Sequence, residues 1–272
     1  MKIFKDQMGT IHTFETTPKR IVSIVPSQTE LLYDLGLEDC IVGITKFCVH
    51  PVHFKSIKKN VGGTKKVDFE KIRLSQPDII IANKEENTKE IVDELAKFYL
   101  VWVTNIATLD DNLKMIEDFG QLFNKRIEAK KWLDKIYVAQ NDFLIFIKDK
   151  AVQKTAYFIW ANPYMVAGNT TFINEMLKIN NFQNIYENSG SRYPEINKHK
   201  ISLLADCDLV LLSSEPFPFK DEHAFEIEKF THHAKTVFVN GQMFSWYGSR
   251  IVKAFAYFKK LHENIAKKNP ML

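Results

Sequence analysis

Residues 20–37, RIVSIVPSQTELLYDLGL, decide how the fold is read. Ile21 to Val25 form a nearly continuous apolar run, which suits a strand buried on both faces of a parallel sheet. The segment that follows opens with Ser27 as an N-cap, carries Glu30 three residues on and closes at Gly36, so the spacing predicts a helix. A strand feeding directly into a helix is the building unit of parallel α/β architecture.

The same alternation continues outward from this unit. IVGIT (41–45), PDIIIAN (77–83) and LVWVTN (100–105) read as strands. FEKIRLSQ (69–76) and ENTKEIVDELAKFY (86–99) read as helices, the second with Ile91, Leu95 and Phe98 on one face. Upstream, residues 2–17 alternate polar and apolar around Met8-Gly9, the mark of a small β-hairpin. From Leu109 the pattern becomes helical, through Leu113, Ile116, Phe119 and Phe123. A stretch without Pro or Gly then runs from Lys125 to Lys150, with Ala129, Leu133, Ile136, Phe143 and Ile147 at helical spacing. About 25 residues make a rod of roughly 38 Å, long for a single small domain, so it reads as a connector. Strands and helices resume in TAYFIWANPYMVAG (155–168), TTFINEMLKI (170–179), ISLLADCDLVLLSSEPFPF (201–219) and KTVFVNG (235–241). FEKIRLSQPDIIIAN (69–83) is echoed by HKISLLADCDLVLLS (199–213): a short helix, an Asp (Asp78, Asp208), then four apolar strand residues. The prediction is an α/β chain of two similar lobes with helix-covered parallel sheets. Residues 1–108 form one lobe, 109–150 a helical connector and 151–272 the second lobe.

The composition excludes several classes. The chain has 272 residues, 45% hydrophobic and 26% charged, with a formal net charge of +4. Its lysines are scattered, at Lys58-Lys59, Lys65-Lys66 and Lys267-Lys268, without the arginine clusters of a nucleic-acid surface. Three cysteines, Cys40, Cys48 and Cys207, are too few and too dispersed for a disulfide scaffold. No run reaches 18 apolar residues, so no span is expected. The first twenty residues lack the apolar core of a signal peptide. The protein is therefore expected to be periplasmic if a signal peptide has been removed, and cytoplasmic otherwise.

Ligands of open α/β sheets bind beyond the carboxyl ends of the strands. The residues there are Pro26 to Thr29, Lys46 to His50, Trp160 to Tyr164, the Glu215–Phe219 turn and Trp246 to Arg250. They are rich in large rings and sparing in polar groups, which favours an apolar pocket for a bulky ligand. The TKFCVHP motif (45–51) raises two other readings. Cys48 and His50 suit a nucleophile and its base, or two ligands of a zinc ion. Yet residues two apart on an extended loop need not touch, and no second pair of zinc ligands is in view. A packed cysteine beside a turn histidine is the plain alternative. GGTKK (62–66) has the glycines of a phosphate loop without its spacing. GxSxG, HExxH and CxxC are absent, so no catalytic residues are assigned and the chain is expected not to be an enzyme. A receptor for a bare metal ion would need several His and carboxylates converging, and only His50 and Glu215 stand at the strand ends.

With these elements laid out, the chain resembles the helical-backbone, class III substrate-binding proteins of ABC importers, which carry cobalamin, haem or iron–siderophores. The vitamin B12-binding branch is the nearest. The resemblance runs from PKRIVSIVPSQTELLYDLGL through VGGTKKVDFEKIRLSQPDIIIA to WANPYMVAGNTTFINEMLK and LVLLSSEPFPF. It implies two α/β lobes joined by one long rigid helix, with the ligand in a cleft between them. It also implies ligand contacts at Ser27, Thr29, Lys46, Phe47, Cys48, His50, Trp160, Tyr164, Glu215, Phe217, Trp246, Tyr247 and Arg250. The ligand it implies would be a corrinoid ahead of haem or a ferric siderophore, and no intrinsic cofactor is expected. His50 is a metal contact only as an axial donor to a metal carried by the ligand. Lys46 and Arg250 would meet acidic or amide groups on its rim. The partner would be an ABC permease dimer, docked through one glutamate per lobe, for which Glu70 and Glu215 are the positions considered. No nucleic-acid partner is expected, and the protein is expected to be monomeric. The alternative is a cytoplasmic corrinoid-handling factor or enzyme on the same scaffold.

Overall fold

The computed structural model describes residues 1–196 and 201–267, so His199 and Lys200 of the internal echo and Lys268 of the tail lie outside the described residues. The chain divides into two compact units. Unit 1 holds Met1–Ile136 together with Tyr247–Arg250, and unit 2 holds Tyr137–Trp246 with the chain from Ile251 onward.

Unit 1 carries a hairpin of β1 (Lys2–Lys5) and β2 (Ile11–Phe14) and a five-stranded parallel sheet. The sheet strands are β3 (Ile21–Ser23), β4 (Ile41–Ile44), β5 (Lys59–Asn60), β6 (Ile79–Asn83) and β7 (Val101–Thr104), in the order β5-β4-β3-β6-β7. β3 and β6 are buried along their whole lengths, as expected of central strands covered on both faces. The hairpin is tied to the sheet by Asp6, which accepts from the backbone N–H of Val103 (3.2 Å) and pairs with buried His12 (3.1 Å).

The helices of unit 1 begin with α1 (Pro26–Asp34), α2 (Phe54–Ile57), α3 (Phe69–Ser75), α4 (Lys89–Ala96) and α5 (Leu109–Leu122). The starts of α3, α4 and α5 follow capping chemistry, while α1 and α2 have no side-chain cap. Asp68, Thr88 and Thr108 each accept from a backbone N–H of the first turn. α1 instead begins at Pro26, whose missing N–H costs nothing there, and Ser27 is not its cap. Glu30 does not complete a capping box either; it is buried and pairs with Arg250. α4 ends at Ala96, which leaves Phe98 exposed rather than on the buried face. Asn124, with positive φ, separates α5 from α6 (Arg126–Ile147). α6 has 22 residues, or roughly 33 Å, and the division between the units falls within it.

Unit 2 contains β8 (Gln153–Trp160), β9 (Met165–Val166), β10 (Phe182–Asn184), β11 (Leu209–Ser213) and β12 (Lys235–Val239). Their order is β10-β8-β11-β12, all parallel, with β9 antiparallel on β8. The helix α7 (Phe172–Ile179) is capped by Thr171. Within the ISLLADC segment, Ser202–Asp206 form a short 3₁₀ helix. The helix Ile251–Ala266 packs Phe255 and Phe258 against Phe143 of α6.

The sequence echo is also an echo of hydrogen bonding. Asp78 accepts from the backbone N–H groups of Lys19 and Arg20, just before β3, while its own N–H donates to the Arg20 carbonyl. Asp208 accepts from the N–H of Lys154 at the start of β8 and donates its own N–H to the Lys154 carbonyl. In each unit this aspartate locks the register of two central parallel strands.

Candidate functional site

In unit 1 the chain leaves β3 for β4 and β5 on one side, then crosses to β6 and β7 on the other. The switch therefore lies between β3 and β6, where an open parallel sheet splays its loops and makes room for a ligand. Unit 2 switches between β8 and β11 in the same way.

At the unit 1 strand ends, Lys46 and Phe47 are exposed, Phe47 by 49%, with the Lys46 ammonium 5.0 Å from the ring centroid. They border a cavity of about 610 Å³ whose remaining wall is the turn Gly62 to Asp68. Cys48 points the other way. It is fully buried, its Sγ 3.2 Å from the Thr29 hydroxyl and 3.3 Å from that of Thr45. Burial pushes this thiol up, so it stays protonated at neutral pH and is a poor nucleophile. His50 is half-buried on the same loop.

Several predicted contacts are interior groups. Thr29 is fully buried, and its hydroxyl also meets Ser23. Ser27 and Tyr247 are buried too, and Gln28 donates to the hydroxyls of Thr104 and Tyr247. Burial holds the Tyr247 phenol far above its ordinary range. Arg250, expected to face a ligand, is 3% exposed and makes a two-pronged pair with Glu30 at 2.7 and 3.0 Å. Its charge is used inside unit 1. Only a fold that returns residues 247–250 to the first unit explains this, and no local pattern announces it.

In unit 2, Trp160 ends β8 and is 40% exposed. Its ring meets Phe217 edge-on at 5.6 Å, and Phe217 in turn meets Phe219 and His223 at 5.0 and 5.1 Å. The Tyr164 hydroxyl donates to Glu226 at 2.5 Å. Glu215 accepts from the indole N–H of Trp246 (2.8 Å) and from the Ser245 hydroxyl (3.2 Å), so its carboxylate braces a largely buried tryptophan. Gly241 makes this arrangement fit, since a Cβ there would lie 2.4 Å from the Ser213 hydroxyl and 2.6 Å from Glu215 Cγ. Beside it, Leu212, Phe219, Lys220, Phe238 and Gln242 help line an open cavity of about 880 Å³. Glu70, the other glutamate considered for docking, lies exposed on α3 and pairs with Arg73.

Sequence reading missed the Gly63–Lys66 turn, the Asn83–Asn87 turn that braces it, and His223. The GGTKK stretch was the available signal for the first, hidden because its spacing matches no phosphate loop. Among the described residues no group of three or more His, Cys, Asp or Glu is arranged to hold a metal ion. No described helix is long and apolar enough to cross a membrane.

A family model described as periplasmic binding protein matches residues 21–237. The chain belongs to this family. It is 29% identical over 181 residues to an uncharacterised ABC transporter substrate-binding lipoprotein, YvrC, of Bacillus subtilis, across 61% of the chain and 55% of that protein. The chain thus matches about half the length of that relative. It is 23% identical over 250 residues to the vitamin B12-binding protein of Photorhabdus laumondii, covering 89% of the chain and 87% of that protein. Among solved structures, a possible iron-binding, periplasmic solute-binding protein of Staphylococcus epidermidis superposes with a TM-score of 0.75. It shares 23% identity and covers 93% of this chain and 100% of its own. Other solved neighbours are named as vitamin B12- or haem-binding proteins, at identities that speak for the fold alone. All are named for binding or transport rather than for a reaction, in agreement with a family of binding proteins and not enzymes.

Proposed function

We propose that the chain is the substrate-binding protein of an ABC importer, and that it carries a bulky, ring-bearing metal complex. A corrinoid stands ahead of haem and ferric siderophores, because the matches to vitamin B12-binding proteins reach across most of the chain. Its partner in this reading is a permease dimer, met as a monomer outside the cytoplasmic membrane. The observation that carries the proposal is the exposure of large rings beyond the carboxyl ends of parallel strands, Phe47 after β4 in unit 1 and Trp160 at the end of β8 in unit 2. Side chains of this size gain roughly 1.5–3 kcal/mol from burial, so rings left in water beside a ligand position are explained by a ligand that covers them.

The ligand contacts proposed are Lys46, Phe47 and His50 of unit 1 and Trp160, Tyr164 and Phe217 of unit 2. Ser27, Thr29, Cys48, Trp246, Tyr247 and Arg250 are each more than nine-tenths buried and serve as support. Glu215 joins them through its bond to Trp246, and Glu70 is the docking residue retained. Calorimetric titration with cyanocobalamin, haemin and a ferric siderophore tests the reading. Saturable heat with at least one supports it, and silence from all three sinks it. His50→Ala should weaken a complex with an open axial position and spare a saturated one; equal loss for both would mean that His50 only packs.

A further inference from the structure

The helix α6 buries Ala129, Ile136, Phe143 and Ile147 along one face. Polar residues belong on the face opposite, where a helix meets water, and exposed Lys130, Lys131, Asp134 and Lys135 meet that expectation. The turns that follow do not. Tyr137, Val138, Leu144 and Ile145 are all exposed, Val138 by 70% and Ile145 by 77%. The pairs 137/138 and 144/145 are one heptad apart, so the four side chains share a face. None of them lines either cavity, and the ligand-binding reading makes no use of them.

Charges are arranged evenly about this patch. Exposed Asn141 lies at its middle, and exposed Asp134 and Lys148 stand two turns to either side, roughly 10.5 Å along the axis. Two copies of α6 laid antiparallel about a two-fold axis at Asn141 set Asp134 of each against Lys148 of the other. The same arrangement sets Tyr137 and Val138 against Ile145 and Leu144. A parallel pair would instead oppose Asp134 to Asp134 and Lys148 to Lys148. The pattern is thus self-complementary in one direction, as an isologous contact requires. A lipid surface fits less well, because exposed Asp134, Asp142 and Asp149 stand among the lysines of this stretch.

We infer that this face of α6 receives a second copy of the chain and forms a reversible antiparallel dimer. Burial of the four large side chains of each copy drives it, and the paired charges fix its direction. A few helical turns offer less than the roughly 800 Å² per partner of a standard interface. The dimer is therefore weak, with a Kd on the order of 100 µM. The inference does not rest on the importer reading, and below that concentration the chain is the monomer which that reading calls for.

Sedimentation velocity of the full chain at low salt, from about 1 to 500 µM so as to span that Kd, tests it. The weight-average mass should rise toward that of a dimer. Val138→Ser/Ile145→Ser should weaken association roughly tenfold or more. Asp134→Lys and Lys148→Asp should each weaken it by about three- to tenfold, and less so at raised salt. The exchanged variant Asp134→Lys/Lys148→Asp should recover wild-type association. An equimolar mixture of the two single variants should also associate better than either does alone, since antiparallel pairing then opposes unlike charges at both ends. All four positions are exposed, and an unchanged thermal midpoint verifies that each variant is folded. A monomer at every concentration, association that survives Val138→Ser/Ile145→Ser, or indifference to the charge exchanges overturns the inference. So does a chain that stays monomeric but pellets with phosphatidylglycerol vesicles through Val138 and Ile145, which would give the face to a membrane.

Discussion

Replacing Arg250 with Met should cost unit 1 much of its stability. Arg250 and Glu30 are 3% and 4% exposed, and two charge-assisted hydrogen bonds of 2.7 and 3.0 Å join them. Truncating one partner leaves a buried carboxylate without its principal counter-charge, a loss of about 3–5 kcal/mol. Urea unfolding, followed by circular dichroism and tryptophan fluorescence, should show it as a midpoint lowered by about 1 M or more, from slopes of about 1–3 kcal/mol/M. Both partners belong to unit 1, so the shift should fall on the transition reported by Trp102 and Trp132. Adding Glu30→Leu to Arg250→Met should recover most of the loss, since an apolar pair of similar volume replaces a buried ion pair at little net cost. The exposed Arg73–Glu70 pair has equally good geometry, at 2.8 and 2.6 Å, and serves as the control. Arg73→Met should leave the midpoint where it was, because solvent screens both charges. A single Arg250→Met variant within about 1 kcal/mol of wild type, or a double variant worse than the single, would refute the reasoning.

Three further outcomes are expected. His262, stacked on Phe182 at 4.9 Å, is lowered to about 4 by burial, with Lys150 adding to the effect. The unfolded chain therefore takes up a proton that the folded chain refuses, so the contribution is complete above about pH 6.5 and is lost progressively as pH falls toward 4; His262→Phe should flatten urea-derived stability across that window. Gly241→Ala should destabilise unit 2 by about 1–3 kcal/mol through overpacking against Ser213 and Glu215, read as a lower thermal midpoint with altered Trp246 emission. Asp6→Asn should free the β1–β2 hairpin from Val103 and raise amide exchange over residues 2–14, while the parallel sheet stays protected.

The parallel sheets were legible because their signal is local. A strand buried on both faces must be apolar throughout, and Ile79–Asn83 and Leu209–Ser213 announce themselves in this way. The paired Asp78 and Asp208 were legible for the same reason, each preceding a strand whose register it fixes. What escaped reading depended on distance. Arg250 is 220 positions from Glu30, and nothing near either residue says that the chain returns to cover a glutamate. Phe98 was misjudged because periodicity was extended past Ala96, where the helix stops. β5 and β10, of two and three residues, are too short to carry any pattern of their own.

The fate of TKFCVHP shows how burial decides chemistry that residue type leaves open. Cys48 and His50 share a loop, yet the side chains meet opposite environments: the thiol lies in the interior against two threonine hydroxyls, while the imidazole stands half-buried at the strand end. A thiolate needs a positive neighbour or water, and burial against neutral hydroxyls supplies neither, so the nucleophile reading fails on electrostatics before any substrate is considered. The zinc reading fails on number, since no third His, Cys, Asp or Glu joins them among the described residues. What the motif contributes is positional. Cys48 packs the loop onto Thr29 of α1, and that anchoring holds Lys46 and Phe47, just before it, outward at the cavity.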